Sequence, residues 1–112
     1  DLTNTNRYYD SNEITSAGIG YEKIFTEGKV VPSIDVQNKF FDTVDKFLAE
    51  NENNNRLIGV HCTHGLNRTG YMICRYMINR MKFKGEDAVN AFNLARGHDI
   101  ERIEYIDDLM TQ

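Results

Sequence analysis

The sequence predicts an α/β domain in which helices pack on a central sheet. Three observations carry this expectation. Segments that read as strands come first, and segments with helical spacing follow. A short apolar run, Leu57-Ile58-Gly59-Val60, leads through a polar loop into a long apolar stretch from Tyr71 to Met81. The length of 112 residues suits one small domain, 1–112, and no repeat, low-complexity stretch or linker divides it.

Asp1 to Thr5 reads as the end of a strand, with Arg7-Tyr8-Tyr9 in the loop beyond it. From Gly20 to Phe25, Tyr21, Lys23 and Phe25 alternate with Glu22 and Ile24, the period-two pattern of a second strand. Thr26 to Pro32 is a loop holding Gly28 and the single proline. Ser33 is placed to cap a helix running to about Glu50, with Phe40, Phe41, Val44, Phe47 and Leu48 at helical spacing. Asn51 to Asn55 contains four asparagines and reads as a surface turn. Arg56 to Val60 is the third strand. The stretch to Met81 is apolar on most sides, as expected of a helix in the domain centre. Gly85 breaks the chain before a helix whose face is Ala88, Ala91, Phe92 and Ala95. Gly97-His98 is a turn, and Ile103, Ile106 and Met110 mark a final amphipathic helix.

Between the third strand and the central helix lies His61 to Gly70, HCTHGLNRTG. It places a thiol, Cys62, at the start of the loop, Arg68 at its end, and the hydroxyl of Thr69 next. Such a loop, turning into a helix N-terminus, points the backbone amides of Thr63, His64, Gly65, Leu66 and Asn67 inward. With the positive end of the helix dipole they favour a bound dianion. Gly65 lets the chain curl without a Cβ clash. Arg68 offers a planar fork for two phosphate oxygens. Cations and helix N-termini pull a thiol pKa from near 8.5 to roughly 3.5–7.5. Cys62 is therefore expected to be a thiolate and the nucleophile toward phosphorus. Thr69 is placed to hydrogen-bond the sulfur and ease its departure. His61 reads as a buried residue that orients the loop, and the role of His64 is left open. A metal reading of His61, Cys62 and His64 lacks a fourth ligand and a second Cys/His cluster, so neither a metal nor a cofactor is expected.

These residues resemble the signature of the cysteine-dependent phosphatases. The string HCTHGLNRTGYMICRYM resembles the RNA 5′-triphosphatase and diphosphatase branch of the dual-specificity phosphatase superfamily. The likeness runs nearly end to end, through DLTNTNRYYD, YEKIF, LIGVHCTHGLNRTGY and ARGHDIERIEYIDDL. It implies a cysteine-phosphatase-like central sheet flanked by helices, with an N-terminal part of the domain lying outside this chain. It implies that Asp1 lies near the active site, where it positions the loop or the attacking water. Arg102 and Arg96 would lie beside the cradle and hold the outer phosphates; the plainer reading of Arg102 is a solvated ion pair with Glu101 or Glu104. The implied reaction removes the γ- and then the β-phosphate from RNA 5′ ends through a phosphocysteine, without a metal. The implied partners are 5′-triphosphate or diphosphate RNA and RNP proteins, with a monomeric enzyme in the nucleus or cytoplasm.

Lys and Arg total 13 and Asp and Glu 17, a net charge of −4. Proteins that grip nucleic acid along its length usually show a basic face. An RNA substrate should therefore be recognised at its 5′ end, with Arg7, Lys23, Arg68, Arg96 and Arg102 as the available cations. Tyr8 and Tyr9 could stack on a base or simply pack. No stretch is apolar for long enough to span a membrane, and no signal-peptide pattern opens the chain. Cys62 and Cys74 are the only cysteines, which fits a reducing compartment better than a disulfide scaffold. Cys74, on the central helix, reads as a small buried hydrophobe, with a resolving thiol as the alternative.

Protein phosphatases of the resembled superfamily carry an Asp on a mobile loop that protonates the departing oxygen. The corresponding stretch here, Phe25 to Pro32, contains no Asp, and Glu27 is its only carboxylate. A serine alkoxide leaves with a conjugate pKa approaching that of water, ~15.7, and a phenoxide with one near ~10. Both gain from a general acid. A terminal phosphate, with a pKa of about 6, leaves unprotonated. The missing acid therefore points to phosphoanhydride cleavage. The alternative is a dual-specificity protein tyrosine/serine/threonine phosphatase with Glu27 as acid, and a third reading is a non-catalytic phosphate-binding module. A phosphoinositide phosphatase fits less well, because the loop offers Thr63 and His64 where lysines would suit an inositol head.

Overall fold

Local signals in the chain account for where its helices begin and end. The structure, a computed structural model, describes residues 1–6, 9–63 and 66–111. Helix α1 (Ser11–Ser16) follows Asp10, whose carboxylate accepts the Asn12 amide at 2.9 Å. It was not expected from the sequence, because SNEITS buries no residue and so carries no apolar period. Helix α2 (Ile34–Glu50) starts at the expected cap, with Ser33 Oγ accepting from the Val36 amide at 3.3 Å. It buries Phe40, Phe41 and Val44 together with Gln37, while Leu48 faces solvent. Helix α3 (Asn67–Met81) ends at Lys82 and α4 (Gly85–Arg96) at Gly97, both of them left-handed caps. Helix α5 (Ile103–Met110) closes the described chain.

Two helix faces differ from the sequence expectation. In α4 the buried positions are Gly85, Ala88, Val89 and Phe92, and Ala91 and Ala95 are exposed. In α5 the buried positions are Tyr105 and Leu109, with Ile106 partly buried and Ile103 and Met110 outside. Counting only aliphatic side chains misplaced this stripe, because a tyrosine ring brings more apolar area than an isoleucine.

The expected sheet takes a reduced form. Among the described residues no segment forms a continuous ladder. Asp1 N donates to Glu22 O at 3.1 Å and Ile24 N donates to Asp1 O at 2.9 Å. That pair of bonds is the repeat of a parallel pairing between residues 1 and 23. On the other side, Leu2 N donates to His61 O at 2.8 Å. The extended segments therefore lie side by side in the order 22–24, 1–2, 61, with too few successive bonds to make strands. Leu57, expected inside, is 90% exposed.

α3 sits at the centre and packs on α2, α4 and α5. Tyr71, Met72 and Cys74 are fully buried, and the Tyr71 and Tyr105 ring centroids lie 5.2 Å apart. Arg75 is the buried cation of this core. It ion-pairs with the Asp108 carboxylate and donates to the Asp108 carbonyl (3.2 Å) and the Tyr71 hydroxyl (3.2 Å). Tyr71 in turn donates to Asp108 at 2.5 Å, and burial pushes its pKa up to about 12. Gln37 joins α2 to this network through Pro32 O (2.9 Å) and the Tyr71 hydroxyl (3.4 Å). At the far end of α3, Tyr76 and Arg80 both donate to Asp45 of α2, at 2.6 and 2.9 Å.

Close helix contacts require two glycines. A Cβ on Gly85 would lie 2.1 Å from Leu109 O, and one on Gly70 would lie 2.8 Å from both Ile100 and Phe92. Gly85→Ala should therefore push α4 away from α5 and cost about 1–3 kcal/mol. Asp108→Ala should cost about 1.5–3 kcal/mol by stranding Arg75 and the Tyr71 hydroxyl. Urea unfolding of each variant measures these losses.

Candidate active site

The chain reaches Cys62 from the extended residues at 60–61 and leaves it through the loop into α3. His64 and Gly65, expected to supply amides and the sharp curl, lie outside the described residues, as do Arg7 and Tyr8. The rest of the loop comes together as the spacing predicts. Cys62 is buried, and the Thr69 hydroxyl, on the first turn of α3, donates to its Sγ at 3.1 Å. Arg68 is held as a fork: Nη1 donates to Thr26 O at 3.0 Å and Nη2 to Thr63 Oγ1 at 2.8 Å. No side chain caps the start of α3. The Thr69 hydroxyl brings this end of the helix, with its partial positive charge, to the thiol.

A cleft of about 210 Å³ opens above the sulfur. Its lining is Cys62, Thr63, Asn67, Arg68, Arg102, Tyr105, Gly28 and Lys29. Three of these connect to the fold in ways the sequence did not reveal. Asn67, expected only to supply a loop amide, accepts the amides of Glu101 and Arg102 through its side chain, at 3.0 and 2.9 Å. That pair of bonds carries Arg102 to the rim, where its guanidinium lies 5.9 Å from the Tyr105 ring. Lys29 brings the 26–32 loop over Arg68 with a left-handed backbone, φ 70°. Glu27, the stand-in acid of the alternative reading, is exposed and does not line the cleft. Arg96, expected beside the cradle, is exposed at the end of α4 and is absent from the lining. Leu66 is half-buried at the foot of α3, where its carbonyl accepts the Gly70 amide at 2.8 Å.

Behind the thiol lies a polar network centred on Asp1. Its almost fully buried carboxylate accepts from Thr3 N (3.0 Å), Thr3 Oγ1 (2.6 Å), Tyr9 (3.1 Å), Lys23 (3.1 Å) and the Tyr21 hydroxyl. The Tyr9 oxygen also meets His61 Nε2 at 2.9 Å, so the network ends one residue before Cys62. Tyr9 is thus a bridging group in this structure. Lys23, considered as a cation for RNA, is spent on Asp1, Thr3 Oγ1 (2.6 Å) and Thr5 O (2.6 Å). Burial lowers its pKa and pushes that of Tyr21 up to about 12. The alternation of Tyr21 and Lys23, beside the resemblance that places Asp1 near the active site, was the sequence signal for this network. His61 is half-exposed rather than buried.

Cys74 is on the α4 side of α3, with Sγ donating to Ala88 O at 3.5 Å and a thiol pKa pushed up to about 12 by burial. Neither Cys62 nor Cys74 is in a disulfide. This is the environment of a packed hydrophobe.

Residues 2–112 match the family model described as dual specificity phosphatase, catalytic domain. The chain belongs to this family of phosphatases. It is 52% identical over 109 residues to the bovine (Bos taurus) RNA/RNP complex-1-interacting phosphatase, covering 97% of this chain and 33% of that protein. It is 44% identical over 110 residues to a tyrosine-protein phosphatase of Autographa californica nuclear polyhedrosis virus, covering 98% of this chain and 64% of the viral protein. These likenesses match the branch that the sequence motifs resemble, although the chain spans about a third of the mammalian relative's length. Among solved structures, a protein tyrosine phosphatase from Leishmania major superposes with a TM-score of 0.76 at 19% identity, covering 99% of this chain and 70% of that one. That likeness supports the fold. Among the described residues, no helix is long and apolar enough to cross a membrane.

Burial lowers the His61 pKa from its ordinary 6.5. The unfolded chain therefore takes up a proton before the folded one does. The stability that this histidine contributes is present above pH 6.5 and is lost as the pH falls from there through the lower folded-state value. Urea midpoints measured from pH 8 to pH 5 should fall more steeply for the wild type than for His61→Asn.

Proposed function

We propose that this domain hydrolyses the phosphoanhydride at the 5′ end of triphosphate or diphosphate RNA, with Cys62 as nucleophile. The observation that carries this reading is the composition of the cleft. Among the described residues lining it are a thiol, hydroxyls, two guanidinia, the Lys29 side chain and an amide side chain, and no carboxylate. A site without a carboxylic acid to protonate an alkoxide suits a leaving group that needs no proton. A terminal phosphate, with its pKa of about 6, is such a group, and an alkoxide is not.

The steps follow from the placement of the side chains. The Cys62 thiolate attacks the terminal phosphorus in line, a P–S bond forms, and the bridging P–O bond breaks. Its electron pair leaves with the shortened RNA end. Arg68 and the amides at the start of α3 stabilise the equatorial oxygens, where charge resides in phosphoryl transfer. Water then attacks the phosphocysteine, releasing inorganic phosphate and a thiolate that the Thr69 hydroxyl stabilises. The same cycle on the next phosphate leaves a 5′-monophosphate. Asp1 acts through His61 to hold the loop. The bovine relative's name supports RNP proteins as partners, and a nuclear site of action belongs to the same reading. The name of the viral relative supports the second reading at phosphotyrosine, and the dual specificity of the matched family supports it at serine and threonine.

Phosphate release from γ- and β-labelled triphosphate RNA in chelator, beside a phosphotyrosine peptide, separates the two. Release of both labels with little peptide turnover is expected, and comparable turnover of the peptide would overturn the proposal. Cys62→Ser should bind the RNA end yet release no label. Arg68→Lys keeps the charge but loses the fork, and should lower kcat by about 10²–10³-fold.

A further inference from the structure

Tyr105 has none of its surface exposed, and among the described residues its hydroxyl is the buried side-chain group without a hydrogen-bond partner. The contrast with the other described tyrosines is informative. Tyr9 and Tyr21 donate to Asp1, Tyr71 to Asp108 and Tyr76 to Asp45. Each of those protons is matched to a carboxylate, and the Tyr105 proton has no anion. Burying a hydroxyl without an acceptor is costly, so natural structures rarely retain one without a reason. Tyr105 also lines the cleft that contains Cys62, Arg68 and Arg102. Arg102 lies over its ring, and the Asn67 side chain ties the backbone at 101–102 to the start of α3.

We infer that the Tyr105 hydroxyl is a specificity-determining donor for a non-bridging oxygen of the second phosphoryl group, next to the one over Cys62. This deepens the phosphoanhydride reading and rests on it. Arg68 and the loop amides serve the reacting phosphoryl, which leaves Tyr105 and Arg102 to meet the next one along the chain. Burial raises the Tyr105 pKa above its ordinary 10, so the group stays a neutral donor through the working range. It adds no charge that would favour every anion alike. Its preference is for substrates that continue past the first phosphate, which a single phosphate ester does not.

The test is Tyr105→Phe, which removes one oxygen and no packing. Three measurements are made on wild type and variant: inhibition of p-nitrophenyl phosphate hydrolysis by tripolyphosphate, the same inhibition by inorganic phosphate, and Tm. The variant should bind tripolyphosphate about 10- to 100-fold more weakly, the effect of one hydrogen bond to a charged group, with the inorganic phosphate constant held within about twofold. Tm should change little, because the lost oxygen makes no well-formed hydrogen bond and has only a weak contact from the Lys29 backbone. Unchanged tripolyphosphate inhibition would overturn the inference. So would equal weakening of both inhibitors, or a lower Tm, since either marks a general or structural role. These probes contain no RNA. A wild type that ignored triphosphate RNA would sink the proposed function while the polyphosphate comparison still decided the role of Tyr105.

Discussion

The start of α3 must be fixed in space beside a sulfur, and the rest of the molecule is arranged around that demand. No side chain caps that helix end, so its hold comes from elsewhere along the helix. The buried Arg75 with Asp108 and Tyr71, the Asp45 contacts at the far end, and the close glycine contacts at positions 70 and 85 supply it. Asn67 extends the same control to the backbone before α5. The reactive end of α3 is therefore held by its body.

The two polar systems of the molecule differ in character. Behind the thiol, the Asp1 network is saturated, with every donor around the carboxylate accounted for and the lysine consumed within it. Such a network fixes position. In front of the thiol, the described residues of the cleft supply cations and hydroxyls and no counter-carboxylate. The rigid side and the receptive side meet at residues 61 and 62.

The nucleophile loop was legible in the sequence because its chemistry is local. Cys62, Arg68 and Thr69 lie within eight residues, and a strand-like run before them and a helix after them fix their relation. The helix boundaries were legible where a cap or a glycine stands, as at Ser33 and Gly97. Tyr105 was missed because its cleft is completed by Gly28 and Cys62, far away in the chain, and no period in α5 distinguishes a cleft tyrosine from a core one. Asn67 was read as a backbone contributor because the two amides its side-chain oxygen accepts lie more than 30 residues away. Arg96 and Arg102, six positions apart, looked equivalent in the sequence. The turn between α4 and α5 separates them, leaving one at a helix end in solvent and the other at the cleft. The sheet was over-read for the opposite reason: alternation reports which way side chains point, and says nothing of how many backbone bonds follow in succession.

The resting position of Arg68 changes what ligand binding means at this site. Its two outer nitrogens already have oxygen acceptors, one on the 26–32 loop and one on Thr63. A guanidinium carries more N–H groups than these two bonds use, so they set the plane of the fork without exhausting it. An arriving anion thus meets a group whose orientation is already fixed from the loop above and from Thr63, and little side-chain freedom is left to lose on binding.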